Sequence, residues 1–459
     1  MIDAGEAAVR TRERIRSGAR LAWIAGDASD VGTVLHYVVA DDFGLSVCSG
    51  TVAGDVPSLS PECAVARWHE RELRDRFGVE FVGLDDSRSL VEVPNAEDLL
   101  GIVSPEVSTV LYGPIRSGIV EPARWLVESA GEDFIAVYPS MFFKRRFLEE
   151  RFVGVPLDQA PFVAEHANGA TAASHATAFC RAVERALDIQ IPSRAQAARE
   201  ALVEFERIHQ HLDSLAKLAE DGSLSVGTAQ TLAAKERIHR LLAAATGSRF
   251  ARGVIAVGGT RFDALGRLQA QAAIDLDAIE SETLGVVEAL FGTQSLLDRL
   301  IGTGRLSRET VVAYGGVGPV ARGSGISCDA RLTDGYQLAP LADCESLERN
   351  GDAVARAHVR RAEIRVSFRL IRAVLGGTHP QRYREPVDPV VSQGFGRVES
   401  PQGELVYFVR LDPTLARVAL RSASYANWPL FVPSLPGNIF TDFSFIEHSF
   451  GLAQAEVDR

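Results

Sequence analysis

The side chains best suited to chemistry lie close together in one short segment. His166 and His175 flank the polar residues Asn168 and Thr171, with Gly169 between them. Because a histidine titrates near neutral pH, His175 could donate a hydrogen bond to a ligand or form part of a proton path. The alternative is a core histidine that is hydrogen-bonded to the backbone. The residue types alone leave both interpretations open.

A second candidate is Arg116, in the loop 113–118 with the sequence Gly-Pro-Ile-Arg-Ser-Gly. Because a guanidinium does not deprotonate in proteins, Arg116 would place a permanent cation beside a site and could stabilise a bound anion. The alternative is an ordinary arginine on a surface loop.

Two further histidines, His209 and His211, lie on a predicted helix. Residues two apart are separated by about 200° around a helix, so these side chains point to different faces and cannot easily share a metal ion. Glu206 and Arg207, next to them, are instead predicted to form a buried polar network that positions the helix. The same prediction applies to Arg322 and to Arg249, which follows the third helical pattern.

Five helical patterns would position these residues. Each repeats apolar residues at helical spacing, and one begins with the cap residues Pro192 and Ser193. The patterns cover residues 170–187, 193–218, 228–245, 262–291 and 352–375. The last contains an arginine stripe from Arg356 to Arg372, which predicts either a partner-docking face or a solvated helix face.

The first 95 residues are predicted to form a separate α+β module. Strand patterns at 22–25 and 32–40 precede a helical stretch with Trp68, Leu73 and Phe77 at near-helical spacing. Pro and Gly residues mark a linker at 96–107. The section 108–459 combines a short β-rich part with the helices, and from residue 394 its patterns indicate loops and small strands. The predicted domains are therefore 1–95 and 108–459.

Composition excludes several classes of protein. The net charge of −12 over 459 residues argues against a nucleic-acid binder. No apolar run is long enough to span a membrane, and no secretory signal is visible, so we expect a cytoplasmic protein. The five cysteines are widely spaced, which disfavours a zinc ribbon, a disulfide framework or a locally bound iron–sulfur cluster.

Several motifs resemble one family, which comprises the large subunits of group 4 nickel–iron hydrogenases (the formate hydrogenlyase type) and the 49-kDa subunit of respiratory complex I. Segment 165–175 has the frame of the hydrogenase motif Arg-x-Cys-Gly-x-Cys-x-x-x-His, with Gly169 and His175 in place. Similar segments follow in the family's order: 206–212 (Glu-Arg-Ile-His-Gln-His-Leu), 246–250 (Thr-Gly-Ser-Arg-Phe), 318–325 (Gly-Pro-Val-Ala-Arg-Gly-Ser-Gly), 425–429 (Tyr-Ala-Asn-Trp-Pro) and 456–459 (Glu-Val-Asp-Arg).

The N-terminal module is similar to the 30-kDa subunit of complex I. The similarity rests on segment 69–79, which contains Glu-Arg-Glu-Leu-Arg-Asp-Arg-Phe-Gly, and on segment 83–86. Large subunits of the formate hydrogenlyase type fuse these two modules in this order. The resemblance implies an α+β N-terminal module followed by a mainly α catalytic-subunit-type domain with small β parts.

The metal ligands of the family are missing from this chain. Asn168 and Thr171 stand where the first two cysteines are expected, and no cysteine follows Cys344, so the C-terminal pair is absent as well. A nickel–iron centre needs thiolate ligands. We therefore predict no metal ligands here, and the chain is not expected to be an active hydrogenase by itself.

The complex I branch of the family uses the same cavity for a quinone headgroup. It has a Tyr at the position of Gly169 and a His in a Gly-Pro-x-His-Pro loop, where this chain has Arg116. The resemblance implies His175 and Arg116 as the candidate catalytic residues, and His166 as a polar link to a neighbouring cluster. The residues expected to line the cavity are His166, Asn168, Gly169 and Thr171.

The leading hypothesis is a nickel-free large subunit of a membrane-associated, complex-I-like or hydrogenase-like oxidoreductase. It would relay electrons from a [4Fe–4S] cluster on a partner iron–sulfur subunit to a quinone-type acceptor. It would also sit on polytopic membrane subunits at the cytoplasmic, inner face of the cell membrane. The alternative is a catalytically silent structural subunit. An independent soluble enzyme is disfavoured, because no nucleophile–base pair or self-contained metal site is evident.

Family descriptions mention NAD, but in complex I NADH is oxidised on a different subunit. The glycine pair Gly258-Gly259 of this chain also lacks the Gly-x-Gly-x-x-Gly spacing of a dinucleotide loop.

Overall fold

The computed structural model describes residues 2–29, 32–86, 88–92, 104, 106–116, 121–336, 338, 340–341 and 344–459. The N-terminal part is an α+β unit, which confirms its predicted class. Its elements are β1 (Ile2–Asp3), α1 (Ala4–Arg16), β2 (Arg20–Ser29), β3 (Gly32–Asp41), β4 (Gly44–Thr51), β5 (Val56–Pro57), α2 (Ala66–Phe77) and β6 (Phe81–Val82). The main sheet has the order β1-β4-β3-β2, and α1 and α2 bury apolar residues against one face of it.

The second part is mainly helical, as predicted. Its elements are β7 (Ser108–Tyr112), β8 (Arg124–Ala130), β9 (Asp133–Ser140), α3 (Ala160–Glu165), α4 (Ala172–Ala186), α5 (Ser193–Asp221), α6 (Ser225–Thr246), β10 (Ile255–Ala256), β11 (Gly259–Thr260), α7 (Ala264–Phe291), α8 (Gln294–Leu300), α9 (Arg308–Ala313), α10 (Gly318–Arg322), α11 (Ala353–Leu375), β12 (Ser392–Ser400), β13 (Gly403–Asp412), β14 (Thr414–Arg421), α12 (Ala423–Asn427) and α13 (Phe443–Phe450). The five predicted helices are α4, α5, α6, α7 and α11. Within the described part of the chain, no helix is both long and apolar enough to cross a membrane.

The division into domains 1–95 and 108–459 stays a prediction. Most of the predicted linker 96–107 lies outside the described residues, which omit 93–103 and 105. The two parts share a core, because Trp23 and Val38 of the N-terminal sheet pack against Val406 and Phe408 of β13. The N-terminal module is therefore packed directly against the helical part.

The C-terminal section is more regular than predicted. Where loops and small strands were expected, β12, β13 and β14 form a continuous antiparallel sheet with strands of 9, 10 and 8 residues. Much of this sheet is buried on both faces, as Tyr407 and Phe408 are both fully buried although they point to opposite sides. Burial on both faces removes the alternation of polar and apolar residues by which a strand is recognised in a sequence.

Two glycines let α4 lie directly on this sheet. A Cβ atom on Gly394 would come within 2.4 Å of the carbonyl oxygen of Ala182, and one on Gly396 within 2.1 Å of that of Ala178. Both positions therefore need a residue without a side chain. The close contact fixes the height of α4, the helix that carries His175, above the sheet.

The predicted buried network is confirmed around Arg207 and Arg322 but not at Arg249, whose exposed side chain pairs with Glu236 at the surface of α6. The guanidinium of Arg322 binds Glu363 (Nε to Oε1, 2.9 Å) and Glu399 (Nη1 to Oε1, 2.8 Å). Arg207 donates to the backbone carbonyls of residues 399 and 400 and lies 3.2 Å from Glu204. All of these charged groups are buried, and such groups persist in a core only when they are paired and hydrogen-bonded.

The arginine stripe of α11 is buried at its N-terminal end and solvated at its C-terminal end, where Arg365, Arg369 and Arg372 are exposed. Arg356 and Arg360 are buried and bind Ser449 and the carbonyl of Phe450. Arg361 forms an ion pair with Glu288 on the neighbouring helix α7. The solvated-face interpretation therefore holds for the C-terminal end only, because the sequence shows the charges along this helix but not the partners that other segments bring to Arg356 and Arg360.

Substituting Gly396 tests the contact between α4 and the sheet. We expect Gly396→Ala to lower the free energy of unfolding by about 1–3 kcal/mol, because the added methyl group overlaps backbone atoms of α4. The matched control is Gly285→Ala on the exposed face of α7, where nothing lies within 4 Å of a new Cβ. The control should stabilise by about 0.5–1 kcal/mol. Equal effects in denaturant titrations would contradict the proposed contact.

Candidate functional site

Helix α4 presents His175 from its first turn, and Glu206 of α5 anchors that turn. The carboxylate of Glu206 accepts hydrogen bonds from the backbone nitrogens of Ala173 (2.7 Å) and Ser174 (3.1 Å) and from the Ser174 hydroxyl. These amides have no partner within the helix, so Glu206 satisfies them. Burial raises the pKa of Glu206 to about 8, although its hydrogen bonds act in the opposite direction.

The centre of the site is one carboxylate oxygen, Oε1 of Glu456. Three side chains from the 168–175 segment converge on it: Asn168 (Nδ2, 2.7 Å), Thr171 (Oγ1, 3.0 Å) and His175 (Nε2, 3.4 Å). Thr171, His175 and Glu456 are at most 2% exposed. The two residues that stand at the cysteine positions of the resembling motif therefore bind a carboxylate of their own chain.

The second ring nitrogen of His175 faces the sheet. Its Nδ1 lies 2.9 Å from the hydroxyl of Tyr407, which is fully buried on β13. Tyr407, His175 and Glu456 thus form a buried hydrogen-bonded chain, which we call the Tyr–His–Glu chain. Such a chain can hold or pass a proton between its members.

The electrostatics of the site keep Glu456 ionised and the hydroxyl of Tyr407 protonated. Burial acts to raise the pKa of Glu456, but hydrogen bonds from His175 and Asn168 lower it to about 2. Burial and the nearby Glu456 carboxylate raise the pKa of Tyr407 well above its ordinary value. At neutral pH, Glu456 is therefore an anion and Tyr407 a neutral hydroxyl.

Segment 453–459, which supplies Glu456, is held from several directions. Asp458 accepts hydrogen bonds from the backbone nitrogens of Phe142 and Lys144, each at 2.6 Å. Arg459 binds Glu149 at 2.8 Å and, across the junction with the N-terminal module, Glu72 at 2.8 Å. Both modules therefore fix the position of Glu456.

The predicted cation Arg116 lies beside this site rather than in it. It is 8% exposed and forms a two-pronged ion pair with Glu447, with distances of 2.7 and 2.9 Å. The structure therefore excludes the surface-loop alternative, and the ion pair neutralises the charge that was expected to face a ligand. Among the described residues, Arg116 has no direct contact with His175. Its catalytic role stays a prediction.

Another arginine, Arg146, stands next to the site. It donates to the carbonyl oxygens of His166, Ala167 and Ala455, and so joins the 166–171 segment to the segment that carries Glu456. Burial lowers the pKa of Arg146, which nevertheless remains a cation at neutral pH.

Two of the predicted cavity-lining residues face outward. The side chain of His166 is exposed, and its Nδ1 lies against the carbonyl of Phe162. Gly169 is half-buried, and its carbonyl accepts a hydrogen bond from Arg252 at 3.0 Å. A Cβ atom on Gly169 would lie 2.3 Å from Nη2 of Arg252, so this arginine fills the space where another residue would carry its side chain. Asn168 and Thr171, in contrast, face the buried carboxylate.

These ligands do not fit a nickel–iron centre. The polar atoms around Glu456 are amide, hydroxyl and imidazole groups, and soft thiolates are absent from them. Cys180, on the same helix, is fully buried, and its surroundings raise the pKa of its thiol far above the usual range. The other four cysteines are also free and lie elsewhere in the fold: Cys48, Cys63, Cys328 and Cys344. Over the described residues, no cluster of three or more His, Cys, Asp or Glu side chains could hold a metal ion.

Sequence reasoning missed Tyr407, Arg146 and Glu456 as members of the site. Glu456 stands in one of the resembling segments, so that likeness was the available signal. No sequence signal marks Tyr407 or Arg146. The contact between Tyr407 and His175 joins residues 232 positions apart, and Arg146 reaches residues 166–167 from a loop.

Two family models match the chain. The model described as the respiratory-chain NADH dehydrogenase 49 Kd subunit matches residues 222–391, and the 30 Kd subunit model matches residues 22–100. Together they cover parts of both predicted modules, in the predicted order.

Three relatives illustrate the range of similar proteins. Formate hydrogenlyase subunit 5 of Escherichia coli (strain K12) is 27% identical over 93% of this chain and 82% of its own length. The membrane-bound hydrogenase subunit alpha of Pyrococcus furiosus is 29% identical over 72% of this chain and 82% of its own. An NADH-quinone oxidoreductase subunit from Chlorobium phaeovibrioides is 28% identical over 61% of this chain and 74% of its own length.

A solved structure supports the same fold. A chain from the structure of the membrane-bound sulfane sulfur reductase, an archaeal respiratory membrane complex, matches with a TM-score of 0.71 and 22% identity, covering 78% of this chain and 100% of that chain. With the motifs, the two family models and the relatives taken together, the chain belongs to the family of group 4 hydrogenase large subunits and complex I 49-kDa subunits, in the form fused to a 30-kDa-type module and without the metal-binding cysteines.

Proposed function

We propose that this chain is the nickel-free large subunit of a membrane-associated, complex-I-like redox assembly. It receives electrons from an iron–sulfur cluster on a partner subunit and passes them towards a quinone-type acceptor. The relatives named above support membership of such an assembly, since their names describe subunits of membrane-bound hydrogenases and NADH-quinone oxidoreductases. The proposed location is the inner face of the cell membrane, on polytopic membrane subunits.

The observation that carries this proposal is the Tyr–His–Glu chain. Its groups are oxygen and nitrogen atoms that bind protons, in the place where the resembling hydrogenases hold a metal. Reduction of a quinone consumes two protons along with two electrons, so a proton-holding site suits that chemistry. In this proposal, Tyr407 and His175 hold and move protons, while Glu456 orients the His175 ring and compensates positive charge.

A quinone headgroup does not fit between His175 and Glu456 as they stand. The donors of Asn168 and Thr171 and both ring nitrogens of His175 are already engaged with groups of the chain, and the buried members have no free space at the site. We therefore derive no reaction step at that point. In this proposal, the quinone-type acceptor binds outside the Tyr–His–Glu chain and not between its members.

The closed site favours a second candidate, a structural subunit without chemistry. Its polar groups satisfy one another, and the Arg116 charge is neutralised by Glu447. In that case the Tyr–His–Glu chain only fastens segment 453–459. The two candidates differ in whether removal of a proton-binding group changes electron transfer in an intact assembly.

Removing proton-binding groups tests the proposal directly. We expect Tyr407→Phe and His175→Gln to lower quinone reduction by the purified assembly about 100-fold or more, and to shift its pH profile, because each deletes a group that holds a proton. A purely structural role would leave the pH profile unchanged.

The matched control is His358→Gln, since His358 on α11 is half-buried and contacts Phe291 away from the site. Partner subunits must co-purify in equal amounts with all three variants. Wild-type turnover and pH dependence in both site variants would contradict the redox role and leave the structural one.

Metal content and partners provide a second test. We expect the assembly, isolated from its own membranes in mild detergent, to contain iron but less than about 0.1 nickel atom per chain, because the site offers no thiolate. Mass spectrometry should identify an iron–sulfur subunit and polytopic membrane proteins. Stoichiometric nickel would refute the nickel-free assignment, and recovery of the chain alone would refute the assembly.

A further inference from the structure

A cavity of about 560 Å³ lies at the junction between the N-terminal module and the helical part. Helix α1 and strands β2 and β3 border it on one side, and the segments 311–316 and 326–333 border it on the other. Its volume falls within the range of small-molecule sites, which is about 300–1,000 Å³. We call it the junction cavity. It is separate from the Tyr–His–Glu chain, because His175, Tyr407 and Glu456 are not among the residues that line it.

Apolar side chains from both modules form much of the wall. Ile15 and Leu21 come from the N-terminal module, and Val312, Ile326 and Leu332 come from the helical part. Val312 and Leu332 are 56% and 46% exposed, although both are large apolar residues. A ligand with an apolar body would remove such surface from water, which favours binding.

A single cation with donors to spare lies in the cavity. Nη2 of Arg20 donates to Glu404 on β13 at 2.8 Å, in an ion pair that joins the two modules. Within the described part of the chain, Glu404 is the only hydrogen-bond partner of Arg20, whose side chain remains 21% exposed. Because a guanidinium carries five N–H groups, Arg20 can bind a second anion without releasing Glu404.

The charge of Glu404 is offset by other groups. The same carboxylate accepts hydrogen bonds from Arg397 at 3.1 Å and from Arg421, and it is 1% exposed. These two guanidiniums counteract the repulsion that Glu404 would exert on an anion beside Arg20.

The remaining carboxylates near Arg20 and around the cavity set a limit on the charge of a ligand. Most of them are paired with arginines of the chain: Asp41 with Arg14, Glu62 with Arg12 and Arg16, Asp329 with Arg331, and Glu399 with Arg322. Asp42 is exposed at the rim. A doubly charged phosphate would be repelled by these groups more strongly than a singly charged carboxylate, so the cavity favours the carboxylate.

We propose that the junction cavity binds a small monocarboxylate with an apolar body. The carboxylate accepts hydrogen bonds from Arg20, because guanidinium and carboxylate match in geometry, and the apolar body lies against Ile326 and Leu332. Such a ligand touches both modules, and its binding stabilises their junction. This site goes beyond the proposed redox function and does not depend on it. A free aliphatic acid and the C-terminal residue of a peptide share the required chemistry.

Calorimetric titration of the full-length chain tests the proposal. The probes are hexanoate, butanoate, uncharged 1-hexanol and N-acetylleucine, which represents a peptide C-terminus. We expect hexanoate or N-acetylleucine to bind at one site per chain, and the tighter of the two identifies the source. Butanoate should bind about tenfold more weakly than hexanoate, because it buries two fewer methylene groups. 1-Hexanol should bind at least about tenfold more weakly than hexanoate, because it lacks the charge.

Variants assign the binding to this cavity. Arg20→Gln should weaken binding of the tighter probe at least about tenfold, and Arg20→Lys should weaken it less, since the charge is kept. Leu332→Ser should weaken it about threefold and carries little risk of misfolding, because Leu332 is exposed. The matched control is Arg237→Gln on α6, whose ion pair with Glu282 lies outside the cavity, and it should bind like the wild-type chain.

A cysteine of the cavity reports where the probe binds. Cys328 lines the cavity near Arg20, and burial raises the pKa of its thiol to about 12, so its reaction with N-ethylmaleimide is slow. The tighter probe should slow this reaction at least about threefold further in the wild-type chain and not in Arg20→Gln, as measured by mass spectrometry. Cys48, which is half-buried and outside the cavity, is the internal reference.

Three outcomes would overturn the proposal. They are the absence of binding by both hexanoate and N-acetylleucine, equal affinity of the tighter probe for the wild-type chain and Arg20→Gln, and unchanged labelling of Cys328 at saturation.

Discussion

The fold around the site depends on one buried carboxylate, that of Glu456. A buried anion persists only where hydrogen bonds replace its lost hydration. Here Asn168, Thr171 and His175 supply them, and the low pKa of Glu456 follows from those donors. The two residues at the cysteine positions of the resembling motif thus serve to hold a carboxylate in the core. In the resembling motif, thiolate anions would surround a metal cation. Here, hydrogen-bond donors surround the carboxylate anion of Glu456, so the polarity is reversed.

Around this centre, the supports form successive layers. Glu206 fixes the first turn of α4, and Gly394 and Gly396 let that helix rest on the sheet that carries Tyr407. Arg146 ties together the two segments that meet at Glu456. Each of these supports holds the backbone next to a site residue. Packing and hydrogen bonding within the chain therefore account for the positions of the site residues.

The fold class and the long helices could be predicted from the sequence because helical periodicity and cap residues are local signals. The β12–β14 sheet could not be recognised, since strands buried on both faces lose their alternation. The buried arginines of α11 were misjudged for a related reason: the partners of Arg356 and Arg360 come from segments far away in the chain. Within the site, Asn168, Thr171 and His175 came from a motif, whereas Tyr407 depends on a contact that only tertiary structure creates.

The contact between Arg459 and Glu72 has a consequence for the fusion of the two modules. Because both residues belong to one chain, their pairing is intramolecular, with an effective concentration in the millimolar range for a short connection. An interaction of modest strength is then sufficient to keep the N-terminal module in place. The same contact between separate chains would need a much larger interface to stay formed at cellular concentrations. Covalent fusion thus relaxes the affinity that this interface needs.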